Sequence, residues 1–144
     1  MNMPTSPAAE RVRSTVLAMP VAQALQLQFR RIAPGEVDLE LPVSEAFSFR
    51  PGQLQATAIF AAADFAAVSA AGTLLPEGWA NATIDGTIKL FAPARGSHLL
   101  ARGRVIDAGR LLSICAADVY AVADGQETLC ASWLGTARNI QLAA

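Results

Sequence analysis

Polar and apolar positions alternate with a period of two along one stretch. Thr83, Asp85, Thr87 and Lys89 interleave with Ile84, Gly86, Ile88 and Leu90, which predicts a strand with one polar and one apolar face. Ala80 to Phe91, Ser97 to Asp107, Leu111 to Val122 and Glu127 to Arg138 all have this strand character. Breaks at Pro93-Ala94-Arg95-Gly96, Ala108-Gly109 and Asp124-Gly125 divide them into a predicted meander. Upstream, Gln26 to Ile32 and Glu36 to Leu41 flank the turn Ala33-Pro34-Gly35 and predict a hairpin. Between hairpin and meander, LQATAIFAAADFAAVSAAG is apolar on every side, which predicts an enclosed helix stopping at Gly72. Pro7 to Leu25 reads as helical, with Ser6 as cap, Pro7 at the first position and Pro20 as an interruption. One long helix and many strands give an α+β class: an antiparallel sheet wrapped around a long central helix.

Composition narrows the picture. Apolar residues make up 53% of the 144 and charged ones 16%, which excludes intrinsic disorder and suits one domain over 1–144, with a helical extension over 1–18. So little charge leaves surplus apolar surface, and a homo-oligomer interface is the expected place for it. A net charge of −1 removes the electrostatic footprint of a nucleic-acid binder. The start, MNMPTSPAAERVRS, shows no basic-then-apolar leader, so a cytoplasmic location is expected. Leu54 to Leu75 carries Asp64 near its middle, which favours a buried helix over a membrane span. With Asp124-Gly125 as a two-residue turn, Cys115 faces Leu134 and Cys130 faces Val119. The sulfurs then lie about 13 Å apart along the strands, which predicts two reduced thiols.

The polar residues limit the chemistry. His98 is the only histidine and follows a turn, so neither a metal centre nor a histidine-based nucleophilic triad is expected. Asp64 has Phe60 and Ala61 one turn before it and Ala67 and Val68 one turn after it. A carboxylate there either does chemistry with a raised pKa or emerges at a helix edge and accepts a structural hydrogen bond. Gln55 and Thr57 open the same helix, where the backbone N–H groups of Ala56 and Thr57 are expected to point outward, free to hold a developing oxyanion.

Two stretches carry a family resemblance. QATAIFAAAD is similar to a His-Gly-Gly motif followed by an apolar helix with an acidic residue, and ATIDGTIKLFAPARGSHLLARGRVIDAGR to the strand, Pro-Ala-x-x-Gly turn, strand and Gly-Arg pattern that follows it. From Met19 to Arg138 the chain resembles the hotdog-fold acyl-CoA thioesterases, specifically the phenylacetate-degradation (PaaI-like) type of the 4-hydroxybenzoyl-CoA thioesterase superfamily. The resemblance implies that Asp64 is the catalytic carboxylate, as nucleophile or general base. It implies that the Ala56 N–H polarises the thioester carbonyl and that Thr83 positions the attacking water. It also implies a dimer or dimer of dimers with sites formed between subunits, and no cofactor, coenzyme A being part of the substrate. Arg95 and Arg110 are candidates for its phosphates. Gln55 stands in place of the motif histidine, Ala56 and Thr57 in place of its glycines, and Phe49 where many relatives have asparagine. Gln55 still offers an amide donor. Phe49 and Thr57 complete the expected substrate contacts, and Phe49, Phe60 and Phe65 suggest an apolar acyl site.

Two other functions compete with hydrolysis. The altered His-Gly-Gly text fits a hotdog protein that binds acyl-CoA or a fatty acyl group without turning it over. A hotdog dehydratase would need a histidine with an acidic partner, and His98 lies in another element.

Overall fold

Local signals set the first elements. In a computed structural model of the chain, which describes residues 5–143, Ser6 caps α1 (Pro7–Leu17) by accepting from the Ala9 N–H at 3.1 Å. Residues 1–4 of the expected extension lie outside the described residues. Pro20 starts a second helix, α2 (Pro20–Leu25), which Gln26 ends in the left-handed conformation. The hairpin therefore begins two residues later than expected, as β1 (Gln28–Ala33) and β2 (Glu36–Pro42). Gly35, at φ 75°, makes its turn and donates its N–H to the Thr73 hydroxyl.

A short two-stranded ribbon, β3 (Ser48–Arg50) and β4 (Gln53–Leu54), precedes α3 (Ala56–Gly72). Four long strands follow: β5 (Trp79–Leu90), β6 (His98–Ala108), β7 (Leu112–Ala123) and β8 (Gln126–Gln141). All pair antiparallel in one sheet of order β1-β2-β6-β7-β8-β5.

Only β6, β7 and β8 form the expected meander. The free side of β6 is taken by β2, from Pro42↔His98 to Glu36↔Arg104, so β5 pairs with the far side of β8. The Pro93–Gly96 break is consequently a crossing over the sheet end, where Phe91 N–H donates to Cys130 and Ser97 N–H to Val122.

Bulges displace two expected registers. The β7–β8 pairing follows the Asp124-Gly125 turn only as far as Tyr120↔Leu129, and then Val119 meets Ala131. Cys130 is the extra residue, so Cys115 lies opposite Gly135 and not Leu134. Both thiols are free and buried, and burial pushes each up to about 11. In β5 the register shifts at Ile84, between Thr83↔Ala137 and Asp85↔Thr136. Thr83 therefore lies on the helix side with Gly86 and Ile88, not on one polar face with Asp85, Thr87 and Lys89 as the alternation implies.

The core lies where α3 beds into the sheet. Val37, Leu39, Leu41, Leu99 and Val119 are fully buried around it, each removal from water contributing roughly 1.5–3 kcal/mol. Alanines 62, 63, 66, 67 and 70 let the helix backbone come close. A Cβ on Gly103 would sit 2.2 Å from the Ala66 carbonyl oxygen, a backbone atom that cannot yield. Gly103→Ala is expected to cost about 3 kcal/mol or more, roughly a 10 °C fall in melting temperature by calorimetry.

The helix is not enclosed all round, as its text suggests. The sheet covers one side, and a stripe of Phe60, Ala61, Asp64, Phe65 and Val68 stays half-buried. Gly72 is the last helical residue, but it needs no left-handed backbone. A side chain there would press on Val12 of α1 at 3.3 Å, while the Thr73 hydroxyl bonds to the Ala70 carbonyl.

Candidate active site

Gln55 is the N-cap of α3, with extended backbone (φ −77°, ψ 151°). Its Oε1 accepts the Thr57 N–H at 2.7 Å and the Thr57 hydroxyl as well. The Thr57 N–H is thus consumed by the cap, contrary to the expectation that it points free. Ala58 and Ile59 donate to the Gln55 carbonyl. Among the described residues the Ala56 N–H has no acceptor, so it and the Gln55 amide NH₂ are the donors this helix start presents.

Ala56 borders an open pocket of about 350 Å³ lined also by Phe49, Leu54, Ile59, Leu90, Phe91 and Pro93. Its rim is apolar and exposed, with Phe49, Leu90 and Phe91 each about half accessible. Arg50 stacks on the Phe49 ring, 5.3 Å from its centre. Leu90 and Phe91 were not among the expected site residues. Their signal was an apolar pair running into Pro93, which also reads as an ordinary strand end.

Asp64 lies two turns further along α3. The Thr83 hydroxyl donates to its Oδ1 at 2.7 Å, so helix and edge strand meet at this carboxylate. Burial raises the Asp64 pKa above the ordinary carboxylate value, and the Thr83 hydrogen bond opposes part of that rise. Among the described residues no cluster of metal-ligating side chains forms, and no helix is long and apolar enough to cross a membrane.

The remaining expected residues divide. Arg95 is at the pocket, its Nε donating to Gln53 Oε1 at 3.2 Å. Arg110 follows the far end of β6, whose 11 residues span about 36 Å, so the chain does not bring it to the Ala56 pocket.

Removing the Thr83 hydroxyl takes away a donor that favours the charged carboxylate. Thr83→Val is therefore expected to raise the Asp64 pKa further above the ordinary carboxylate value. Titration of the Asp64 carboxyl carbon by NMR in the two proteins checks the direction.

No protein-family profile and no curated protein matches the sequence. Solved structures do. A thioesterase family protein from Silicibacter pomeroyi superposes with a TM-score of 0.90 at 29% identity, over 93% of this chain and 98% of that one. The chain has the hotdog fold of these thioesterases. A thioesterase from Haemophilus influenzae matches the hotdog at 0.83 with 18% identity, over 98% of this chain and 95% of that one. The PaaI protein of the E. coli phenylacetic acid degradation operon matches it at 0.80 with 19% identity, over 92% and 93%.

Proposed function

We propose that this hotdog protein is a cytoplasmic acyl-CoA thioesterase that needs no cofactor. The observation that carries the reading is Asp64, a carboxylate in an apolar helix with a raised pKa and a hydroxyl partner, on a fold shared with thioesterases. In the proposed reaction the Ala56 N–H, assisted by the Gln55 amide, binds the thioester oxygen as negative charge develops on it. Asp64 either takes a proton from the attacking water, with Thr83 fixing the geometry, or attacks the carbonyl carbon itself. The C–S bond breaks and coenzyme A leaves as the thiolate, its phosphates near Arg95; in the first route it takes up the proton held by Asp64, and in the second, water hydrolyses the acyl–Asp64 anhydride, which frees the acid and restores the carboxylate.

One chain is insufficient for this. Ala56 and Asp64 are eight residues apart on one helix, about 12 Å along its axis, too far for both to reach a single carbonyl group. A second copy added at the free edge of β5, a 12-residue strand with only β8 beside it and Ile84 and Leu90 exposed, would bring the Ala56 of one protomer toward the Asp64 of the other. Light scattering at micromolar concentration is expected to give 30 or 60 kDa against a 15.0 kDa chain; a 15.0 kDa particle alone would remove the shared site.

The self-capping of Gln55 and Thr57, which leaves a single backbone donor, favours a second reading: a hotdog protein that binds an acyl-CoA without cleaving it. A panel of acyl-CoA thioesters with detection of free thiol separates the two. Thiol release from at least one aryl or medium-chain member supports hydrolysis, and binding with no release across the panel supports the carrier.

A further inference from the structure

β5 ends the sheet with only β8 beside it, and its 12 residues hold no proline to guard the open edge. Two charges stand on the face turned away from α3: Asp85, and Lys89, the chain's one lysine. Both are exposed, and neither belongs to any of the five ion pairs among the described residues. On β8 they lie opposite Thr136 and Ser132, which are neutral. A lone lysine on an edge strand commonly repels any added strand. Here an opposite charge stands four residues before it, with Thr87 midway.

This spacing selects a register. A second copy that extends the sheet about a two-fold axis runs antiparallel, and residues opposite each other share a face. With the axis at Thr87, Asp85 lies opposite the partner's Lys89, and Lys89 opposite the partner's Asp85. Moving the axis by one residue slides the partner by two, about 7 Å. An axis at Asp85 or Lys89 sets like charges against each other, and one at Gly86 or Ile88 sets a charge against threonine. Like charges directly opposite are destabilising and unlike ones stabilising, so Thr87 is the centre within this run that satisfies both residues.

The same register completes the site. Leu90 borders the pocket with Ala56, and Thr83 donates to Asp64. With the axis at Thr87, Leu90 meets the partner's Ile84, the bulge residue next to Thr83. The pocket of one protomer is thereby carried to the Asp64–Thr83 pair of the other.

We propose that the chain pairs with a second copy through β5 in this register, centred on Thr87 and keyed by two reciprocal Asp85–Lys89 ion pairs. The inference rests on the shared-site reading above and deepens it, by naming the residues that fix which groups meet.

The test uses the full-length protein. Asp85→Lys sets lysine against lysine when the chain meets its own copy, and Lys89→Asp sets aspartate against aspartate. Each variant is expected to self-associate about 100-fold more weakly than the native chain. Mixed in equal amounts, the two regain both attractive pairs only in the mixed dimer. Native mass spectrometry is expected to show that dimer outnumbering the two homodimers together by about tenfold or more, where chance gives equal numbers. Thr87→Cys reports the axis separately. Mild oxidation is expected to link two such chains, because opposite Cα atoms lie about 4.5–5.5 Å apart. Lys89→Cys, about 14 Å from its own copy in this register, is expected not to link. The native thiols are buried and do not compete. Dimers mixed by chance would overturn the proposal, as would a Lys89→Cys link that forms as readily as the Thr87→Cys one. Should a charge-reversed chain not fold, the cysteine variants decide alone. Thiol release from acyl-CoA is read on the native protein. Keyed pairing without release would end the thioesterase reading and leave the interface standing, whereas release from a native dimer whose charge variants mix by chance would do the reverse.

Discussion

Asp64→Asn is expected to suppress thioester hydrolysis by 10² to 10⁴-fold, roughly 3 to 5 kcal/mol of transition-state stabilisation. The amide keeps the shape of the carboxyl group and can still meet the Thr83 hydroxyl, but it neither takes a proton from water nor attacks a carbonyl. Stability should move the other way. The folded-state pKa of Asp64 lies above its unfolded value because burial disfavours the charge. Its contribution to stability is therefore fully present below the unfolded pKa and is lost as pH rises through the folded pKa. Where the native carboxylate is ionised, it bears a desolvation cost that the asparagine variant escapes. The variant should melt at or above the native temperature at pH 7 and lose that advantage near pH 4. Parallel melting curves and thiol-release rates check both halves, and an unmodified rate would remove Asp64 from the mechanism.

Ala56→Pro is the second large effect. Proline is at home in the first position of a helix, and the extended backbone of Gln55 is the conformation a following proline requires. The substitution thus deletes a single N–H, the one without an acceptor at this helix start, and leaves the fold intact. Loss of one oxyanion donor is expected to lower kcat by about 10² to 10³-fold. Mixing this variant with Asp64→Asn tests the shared site. If the two groups come from different protomers, a mixed dimer has one site with both defects and one with neither, and activity returns. If each chain works alone, mixing restores nothing. Co-expression with two affinity tags and purification of the mixed species gives the measurement.

Different parts of this architecture were readable to different degrees. Helix and strand positions follow from punctuation: Ser6, Pro20, Gly35, Gly72 and Asp124-Gly125 each mark a place where the chain changes state. Strand partners do not follow, because the pairing of β5 with β8 is decided by the occupancy of β6 by a hairpin from the other end of the chain. The half-buried stripe of α3 was hidden for a related reason. A helix that is apolar on all sides contains no record of which side the sheet covers. Asp64 was visible as the one charge in that helix, whereas Thr83 was identified through the family pattern and not from its alternation.

The extra residue at Ile84 bears on how this sequence can change over generations. Thr83 and Asp85 lie on opposite sides of the sheet although they are two positions apart, so loss of Ile84 would leave each on its own side of a regular strand. Ile84 can be lost without reversing the sides of either flank, whereas loss of Gly86 or Thr87 would turn part of the strand inside out. The edge strand that carries the hydroxyl beside Asp64 therefore has, at Ile84, a position where one residue can be lost with the facing of its neighbours kept.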